Sequence, residues 1–108
     1  MATIGRLITG EGVFTAWVTG RDSGLVVHVA TGLDCDLSLQ TRPVCQVDGS
    51  PWADDTSGVF ELTSINPRGG GNFISAQIRA GEWQYRVGCR EATYTSGAAP
   101  VWLGVSGG

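Results

Sequence analysis

Two stretches in which apolar and polar residues alternate, between positions 73 and 89, give the clearest structural signal in the chain. The first covers residues 74–80, and the second places Trp83, Tyr85 and Val87 at every other position. Successive side chains of a β-strand point to opposite faces, so both stretches predict half-buried strands. Because only a short break around Gly81 separates them, we expect a tight hairpin at the middle of the fold, with Trp83, Tyr85 and Val87 in the core.

Further strands are predicted along the rest of the chain, where turn-forming residues recur about every 8 to 12 positions. The most regular is the stretch 34–40, in which Leu37 and Leu39 face the core and polar residues face outward. Pro43 cannot donate to a strand ladder, so it predicts an edge or a bulge before a strand resumes at Cys45. The other predicted strands cover residues 2–9, 13–18, 25–30, 59–63 and 100–105.

These elements predict an all-β fold. No stretch has the period of a helix, and 17 glycines among 108 residues suit many short strands joined by tight turns. A chain of this length forms a single domain, residues 1–108, and can bury one core without disulfide bonds. We therefore expect an antiparallel two-sheet β-sandwich, jelly-roll or Ig-like, of about eight short strands.

Some outward positions of the predicted strands are apolar. Charged residues make up 16% of the chain, against roughly 25% in an average soluble domain, which suggests that part of the surface does not face water. Phe14 and Trp17 lie on opposite faces of the second predicted strand, and Trp102 lies opposite the core face of the last one. Since tryptophan is enriched at interface anchors, we predict an interface containing Phe14, Trp17, Trp102 and Arg6, with the strand 2–9 contributing to subunit contacts.

The tryptophans also have a second interpretation. Exposed aromatic rings in a row are typical of the sugar-stacking surfaces of carbohydrate-binding modules built on β-sandwiches. Alternation buries Trp83, and Trp52 follows a turn and is expected to cover the edge of the core. Trp17 and Trp102 are then the candidates for such a surface, so a protein interface, a place in the core and a glycan-binding surface all stay open at these two positions.

Catalytic and metal-binding patterns are not found in the sequence. The single histidine, His28, has no acid or cysteine at a relay or ligand spacing, no serine lies in a G-x-S-x-G motif, and the cysteines lack C-x-x-C spacing. The acid pairs Asp34/Asp36 and Asp54/Asp55 are interpreted as solvated side chains of a strand and a turn. We predict that the protein is not an enzyme and has neither a cofactor nor a metal site.

Charge and hydropathy restrict the partners and the compartment. A net charge of -3 with 7 scattered basic residues argues against nucleic-acid binding. No run of 18 apolar residues predicts a membrane span, and the N-terminus lacks the pattern of a signal peptide. We therefore expect synthesis in the cytoplasm. Because that compartment keeps thiols reduced, we expect Cys35, Cys45 and Cys89 to be free thiols that fill the core; a Cys35–Cys45 disulfide bond is the alternative.

Six turn-and-strand motifs follow one another along the chain: Thr15-Ala16-Trp17-Val18, Asp36-Leu37-Ser38-Leu39-Gln40, Asp48-Gly49-Ser50-Pro51-Trp52-Ala53-Asp54, Gly58-Val59-Phe60-Glu61-Leu62-Thr63, Tyr85-Arg86-Val87-Gly88-Cys89 and Tyr94-Thr95-Ser96-Gly97. Taken in their order and spacing, these motifs resemble a group of small bacteriophage structural proteins of similar length that are encoded among head and tail genes. The resemblance covers roughly residues 13–106. This chain departs from the pattern of the group by the additional residues 41–46 before an Asp-Gly turn.

The resemblance implies a β-sandwich component of the virion, made in the host cytoplasm and without a catalytic site. The function expected from it is that of a capsid decoration (cement) protein, which binds the capsid lattice and stabilises it. The alternatives are a tail or head–tail accessory protein, or a glycan-binding module displayed on the virion. The expected partners are the major capsid protein or other virion proteins, together with further copies of the chain in a homo-oligomer such as a trimer.

Overall fold

The computed structural model describes residues 2–21, 24–30, 32–66, 73–77 and 82–105, and within these ranges the chain forms β-strands and irregular connections but no helix. The all-β class predicted from the alternation is therefore confirmed. The strands are β1 (Ala2–Ile8), β2 (Val18–Arg21), β3 (Gly24–Val29), β4 (Leu33–Asp34), β5 (Leu37–Pro43), β6 (Phe60–Ile65), β7 (Phe73–Gln77), β8 (Glu82–Cys89), β9 (Ser96–Gly97) and β10 (Ala99–Val105).

Most of the strands pair into two four-stranded sheets, and all neighbours within them are antiparallel. The first sheet has the order β1-β10-β3-β7, and the second has the order β2-β8-β5-β6. β4 and β9 form a separate pair. In the two large sheets only β5 and β6 are consecutive in the chain, so the fold depends on pairing between distant segments rather than on hairpins.

One cluster of buried side chains receives residues from both large sheets. Alternation explains its composition, because every second residue of a strand points to the same side of its sheet. Leu37, Leu39, Tyr85 and Val87 are at most 1% exposed, whereas Trp83 is only partly buried and packs against the cluster. The first sheet contributes Ile8, Val27, Val29, Ala99, Val101, Leu103 and Val105 to the same cluster.

The hairpin predicted between positions 73 and 89 is wrong in its pairing, although both of its strands exist. β7 pairs with β3 in the first sheet, and β8 pairs with β2 and β5 in the second. β7 and β8 therefore belong to different sheets. Alternation indicates which side of a strand is buried but not which strand lies beside it, so it cannot distinguish a hairpin from a crossing between sheets. Ile78 and Ala80, assigned to the first strand of that hairpin, lie outside the described residues.

Residues 13–17 do not form the predicted second strand, and β2 begins only after them. They run alongside β8, where Thr15 N donates to Val87 O at 2.8 Å. Gly88 makes this close approach possible, because a Cβ atom at position 88 would lie 2.5 Å from the Cα of Phe14. The stretch therefore lies directly on β8 and carries its aromatic side chains across the second sheet.

The region after Pro43 also differs from the prediction. β5 ends at Pro43, and residues 44–59 form turns, bends and irregular structure, so no strand resumes at Cys45. Trp52 Nε1 donates to Pro43 O at 2.6 Å, and this bond holds the long 44–59 connection against the end of β5. Trp52 thus folds back over Arg42 on the outer face of the second sheet, rather than over the edge of the core as its position after a turn predicts.

Candidate functional site

The outer face of the second sheet carries two arginine–glutamine pairs. β5 and β8 are in a register that places Gln40 opposite Arg86 and Arg42 opposite Gln84. Arg86 Nε donates to Gln40 Oε1 at 2.8 Å, and Arg42 Nε donates to Gln84 Oε1 at 2.9 Å. Thr41 between them points to the other side of the sheet and is fully buried. Each guanidinium group is therefore held in one orientation by the neighbouring strand.

Aromatic side chains from two other segments cover these arginines. The guanidinium carbon of Arg86 lies 4.3 Å from the centroid of the Phe14 ring and 4.7 Å from that of Trp17. The guanidinium carbon of Arg42 lies 4.4 Å from the centroid of Trp17 and 5.6 Å from that of Trp52. These are cation–π distances, and each such contact contributes about 0.5–2 kcal/mol, more when it is desolvated. These five residues are termed the arginine–aromatic cluster.

Arg42 ties this cluster to the 44–59 connection. Its Nη1 donates to Asp54 O at 2.7 Å and to Ser57 O at 3.3 Å. The residue is only 6% exposed, and burying a charge without compensation is costly. Among the described residues the compensation comes from carbonyl and amide oxygens and from aromatic rings rather than from a carboxylate.

Asp54 organises the turn that Arg42 holds. Its Oδ1 accepts hydrogen bonds from the backbone N–H and the hydroxyl of both Thr56 and Ser57, at 2.8–3.0 Å. These donors, the Thr56 hydroxyl first, lower the pKa of the Asp54 carboxyl from 3.8 to about 2. The carboxylate of Asp54 therefore serves as a structural acceptor within a turn, which agrees with the interpretation of this acid as a turn residue.

Acid should open this turn only well below the ordinary titration of an aspartate. Because the pKa of Asp54 is lower in the folded chain than its ordinary 3.8, the carboxylate stabilises the turn fully above that value, and the stabilisation is lost as the pH falls through about 2. In NMR titrations we expect the amide shifts of Thr56 and Ser57 to change with a midpoint near this lower value. The Asp54→Asn variant should show no such step, and a midpoint near 3.8 in the parent would contradict the prediction.

A pocket of about 460 Å³ opens beside the arginine–aromatic cluster. Arg86 forms part of its wall, and Arg6 of β1 lines it as well, with Nη1 donating to Phe14 O at 2.7 Å. Asp55 and Glu91 also line it, so two cationic and two anionic side chains surround one space. It is termed the arginine pocket, and its lining residues are Arg6, Gly12, Phe14, Thr15, Ala16, Asp55, Thr56, Arg86 and Glu91.

Arg86 is a partly buried cation in the wall of the arginine pocket. Burial lowers its pKa, the Asp55 carboxylate raises it, and the nearby charge of Arg42 lowers it. The guanidinium group remains charged at neutral pH, because the ordinary pKa of an arginine lies far above neutrality. Its Nε is bonded to Gln40 and its centre lies over the rings of the cluster, while no acceptor for its terminal amino groups is found in the described part of the chain.

The outer face of the first sheet has a different character. The outward positions of β1, β10 and β3 that the structure describes carry no Asp, Glu, Lys or Arg. On this face Leu7 is 56% exposed and Trp102 is 40% exposed. It is termed the uncharged face, and its residues are Thr3, Gly5, Leu7, Val26, His28, Pro100, Trp102 and Gly104.

Trp102 is held in place across this face. The register of the sheet aligns Gly5, Trp102 and His28 on three neighbouring strands. A Cβ atom on Gly5 would lie 2.7 Å from Trp102 Cδ1, so the indole occupies the space above the glycine. The ring also stacks against His28, with centroids 5.4 Å apart and planes at 28°. A partly exposed indole that is already ordered loses little side-chain entropy when a partner covers it.

The residues predicted to form an interface lie in two separate places. Trp102 belongs to the uncharged face, whereas Phe14 and Trp17 belong to the arginine–aromatic cluster and Arg6 lines the arginine pocket. Trp17 is partly buried, and its Nε1 is buried without an acceptor among the described residues. The two tryptophans therefore lie on the outer sides of different sheets.

The arginines of the cluster were not singled out by sequence reasoning, although a signal for them exists. The tripeptides Gln40-Thr41-Arg42 and Gln84-Tyr85-Arg86 have the same Gln-x-Arg form on two predicted strands. When such strands pair in antiparallel fashion, each glutamine faces an arginine. This repeated tripeptide predicts the arginine–glutamine pairs only once β5 and β8 are known to be neighbours, because alternation alone does not indicate which strands pair.

The three cysteines are free thiols. Cys35 and Cys89 are buried, whereas Cys45 is exposed, so the expectation of core-filling thiols is wrong for Cys45 and the alternative Cys35–Cys45 bridge is absent. Burial, together with a hydrogen bond to the Cys89 thiol, raises the pKa of Cys35 to about 12. The Cys35 thiol therefore stays protonated and unreactive at neutral pH.

Other sites were sought among the described residues. They contain no group of three or more His, Cys, Asp or Glu side chains arranged to hold a metal ion. None of the described segments is a helix with the length and hydropathy needed to cross a membrane. Comparison with protein-family models, with curated proteins and with solved structures found no match to this chain.

Proposed function

We propose that the two large sheets face each other as a β-sandwich of the jelly-roll type. When the two-residue strands β4 and β9 are left out and the others are renumbered along the chain, the sheets have the orders 1-8-3-6 and 2-7-4-5. This is the strand order of a jelly roll, in which two Greek keys place successive strands alternately in two sheets. An Ig-like arrangement would instead pair the first two strands within one sheet. The shared core of both sheets supports the face-to-face packing.

The function that we infer is that of a bacteriophage virion structural protein, which decorates the capsid lattice and stabilises it. The observation that carries this proposal is the uncharged face, on which Leu7 and the ordered Trp102 are exposed and no charged side chain is present. A contiguous surface of this kind is typical of a protein contact. The motifs that resemble small phage structural proteins support the same function, and so does the jelly-roll order, which is common in viral capsid domains.

A capsid lattice suits a small surface of this type. One copy of the uncharged face offers only a modest contact area, because a sheet surface three strands wide is small compared with a standard protein interface. Contacts with several neighbouring subunits of a lattice act at high effective concentration, so modest contacts sum to firm attachment. A tail or head–tail accessory protein would use the same face on a ring of subunits. Binding assays with isolated capsids and with isolated tails distinguish these two locations on the virion.

The edge of the first sheet is proposed to contact further copies of the chain. β1 pairs with β10 along seven positions, and no strand of the described chain lies on its other side. An unpaired edge of this length exposes a row of backbone donors and acceptors, which proteins usually cover. Closed symmetry, such as that of a trimer, would cover the edge in every copy.

A charged residue placed on the uncharged face should strongly weaken capsid binding. In the Leu7→Glu variant a carboxylate would be buried without a partner in each contact, at a cost of about 2–3 kcal/mol, which weakens Kd on the order of 30- to 150-fold. Binding is measured by co-sedimentation of the purified protein with capsids of the encoding phage that lack it. Isolated tails of the same phage serve as the second target.

The Phe60→Glu variant is the matched control. Phe60 begins the edge strand β6 of the second sheet and is 55% exposed, almost the same as Leu7. We expect it to bind capsids like the parent protein. Equal binding by Leu7→Glu and the parent, or a parent protein that binds neither capsids nor tails at any concentration, would contradict the proposed function.

A further inference from the structure

The charges of the arginine pocket restrict what can bind there. Arg6 and Arg86 contribute two positive charges, and Asp55 and Glu91 contribute two negative ones. A phosphate or sulfate group, with up to two negative charges and almost entirely acceptor oxygens at neutral pH, would meet two carboxylates as well as the arginines. A ligand with a single carboxylate and several hydrogen-bond donors is complementary to both kinds of side chain.

Arg86 is built to receive a carboxylate. The bond from its Nε to Gln40 Oε1 and the contacts of its centre with Phe14 and Trp17 fix the guanidinium plane before any ligand arrives. Its terminal amino groups have no acceptor among the described residues. A guanidinium group that is already oriented binds carboxylates through paired N–H donors, and less conformational freedom is lost on binding.

Asp55 and Glu91 supply the complementary acceptors. Both line the same pocket as Arg86 and both are exposed. Ionised carboxylates only accept hydrogen bonds, so they select ligands with hydroxyl or other donor groups. The rest of the lining, apart from Phe14 and Ala16, is polar or glycine, and it therefore offers no slot for an apolar side chain such as a peptide would present.

We propose that the arginine pocket binds the acid sugar of a polysaccharide or glycan, a uronic or sialic acid, with Arg86 bonded to the sugar carboxylate and Asp55 and Glu91 accepting from its hydroxyls. The volume of about 460 Å³ lies in the usual range for small-ligand sites and accommodates a single sugar ring with its substituents. The pocket shares no residue with the uncharged face. Sugar binding and capsid binding are therefore independent activities, and either can fail without the other.

The test compares two sugars that differ only in the acid group. Titration of the ¹⁵N-labelled full chain with methyl β-D-glucuronide should shift the amides of residues 14–16 and 55–56, whereas methyl β-D-glucoside should shift them about tenfold less at equal concentration. Sodium sulfate and N-acetylglycine are titrated in parallel. The first is an anion without donors at neutral pH, and the second carries a peptide-like carboxylate without hydroxyls.

Substitutions test the cationic and the anionic side of the arginine pocket separately. Arg86→Gln should weaken glucuronide binding about tenfold or more, and Arg90→Gln, an exposed arginine outside the pocket, should leave it unchanged. If Arg86→Gln does not fold, Asp55→Asn replaces it, because Asp55 lies in an exposed turn. Asp55→Asn should weaken binding of the glucuronide but not of acetate.

Each result of these binding measurements either supports or overturns the proposed acid-sugar site. Selective binding of the glucuronide that is lost in Arg86→Gln or weakened in Asp55→Asn supports it. Equal binding of glucuronide and glucoside, tighter binding of sulfate, or binding that survives both substitutions overturns it. Tighter binding of N-acetylglycine also overturns it and assigns the pocket to the carboxyl end of a peptide.

Discussion

The Tyr85→Ala variant should lose about 3–5 kcal/mol of unfolding free energy, which is a large fraction of the roughly 5–15 kcal/mol that holds a small domain together. Tyr85 is the largest fully buried side chain of the core, on the strand that lies between β2 and β5 in the second sheet. Truncation to alanine removes its buried surface and leaves a cavity that rigid strands on either side cannot fill. Urea unfolding measures the loss as a lower midpoint with an unchanged slope.

Tyr94 provides the matched control, since Tyr85 and Tyr94 are the two tyrosines of the chain. Tyr94 is 36% exposed in the irregular stretch before β9, where its hydroxyl donates to Gly97 O at 2.8 Å. Tyr94→Ala should cost about 1 kcal/mol or less, the value of one exposed hydrogen bond. Similar losses for the two variants would mean that the core is not centred on β8.

The Arg42→Ala variant should lose about 2–4 kcal/mol, although it removes a charged residue from the outer face of a sheet. Arg42 is buried, lies over Trp17 and Trp52, and donates to Gln84 Oε1 and to two carbonyls of the 44–59 connection. Its removal leaves those acceptors without their donor and a gap beside two indoles. Calorimetry should show the lower Tm, and tryptophan fluorescence should shift as water reaches the indoles.

Arg90→Ala is the control for charge alone. The Arg90 side chain is 54% exposed, and its ion pair with Glu61 spans 4.0 Å, so its loss should cost less than about 0.5 kcal/mol. Arg42→Lys refines the comparison, because lysine keeps the charge but cannot reproduce the planar, forked set of donors. We expect Arg42→Lys to recover less than half of the unfolding free energy that Arg42→Ala loses. Full recovery would contradict the role given to the guanidinium geometry.

Alternation of side chains predicted the class of the fold and much of the strand content, because it follows directly from the geometry of a single strand. It did not predict which strands pair. β7 and β8 are close in the chain but lie in different sheets, and β1 pairs with β10 at the other end of the sequence. Pairing is decided by the packing of whole faces, and a local pattern of apolar residues does not contain that information.

The candidate site was predictable only in part for the same reason. Trp102 was correctly placed opposite the core, since that placement needs only the register of its own strand. Trp17 was placed on an outer strand surface, but residues 13–17 form no strand and lie on Gly88 of β8, where Trp17 meets two arginines. Those contacts join three segments that are distant in sequence, and no pattern within any one of them indicates the others.

The position of β10 has a consequence for how the protein is made. This strand is made after every other described strand, yet it lies between β1 and β3 inside the first sheet. During translation β1 and β3 therefore have no central partner until β10 has been synthesised. Until then the nascent chain carries two open strand edges, which makes it prone to pairing with other chains while the first sheet is incomplete.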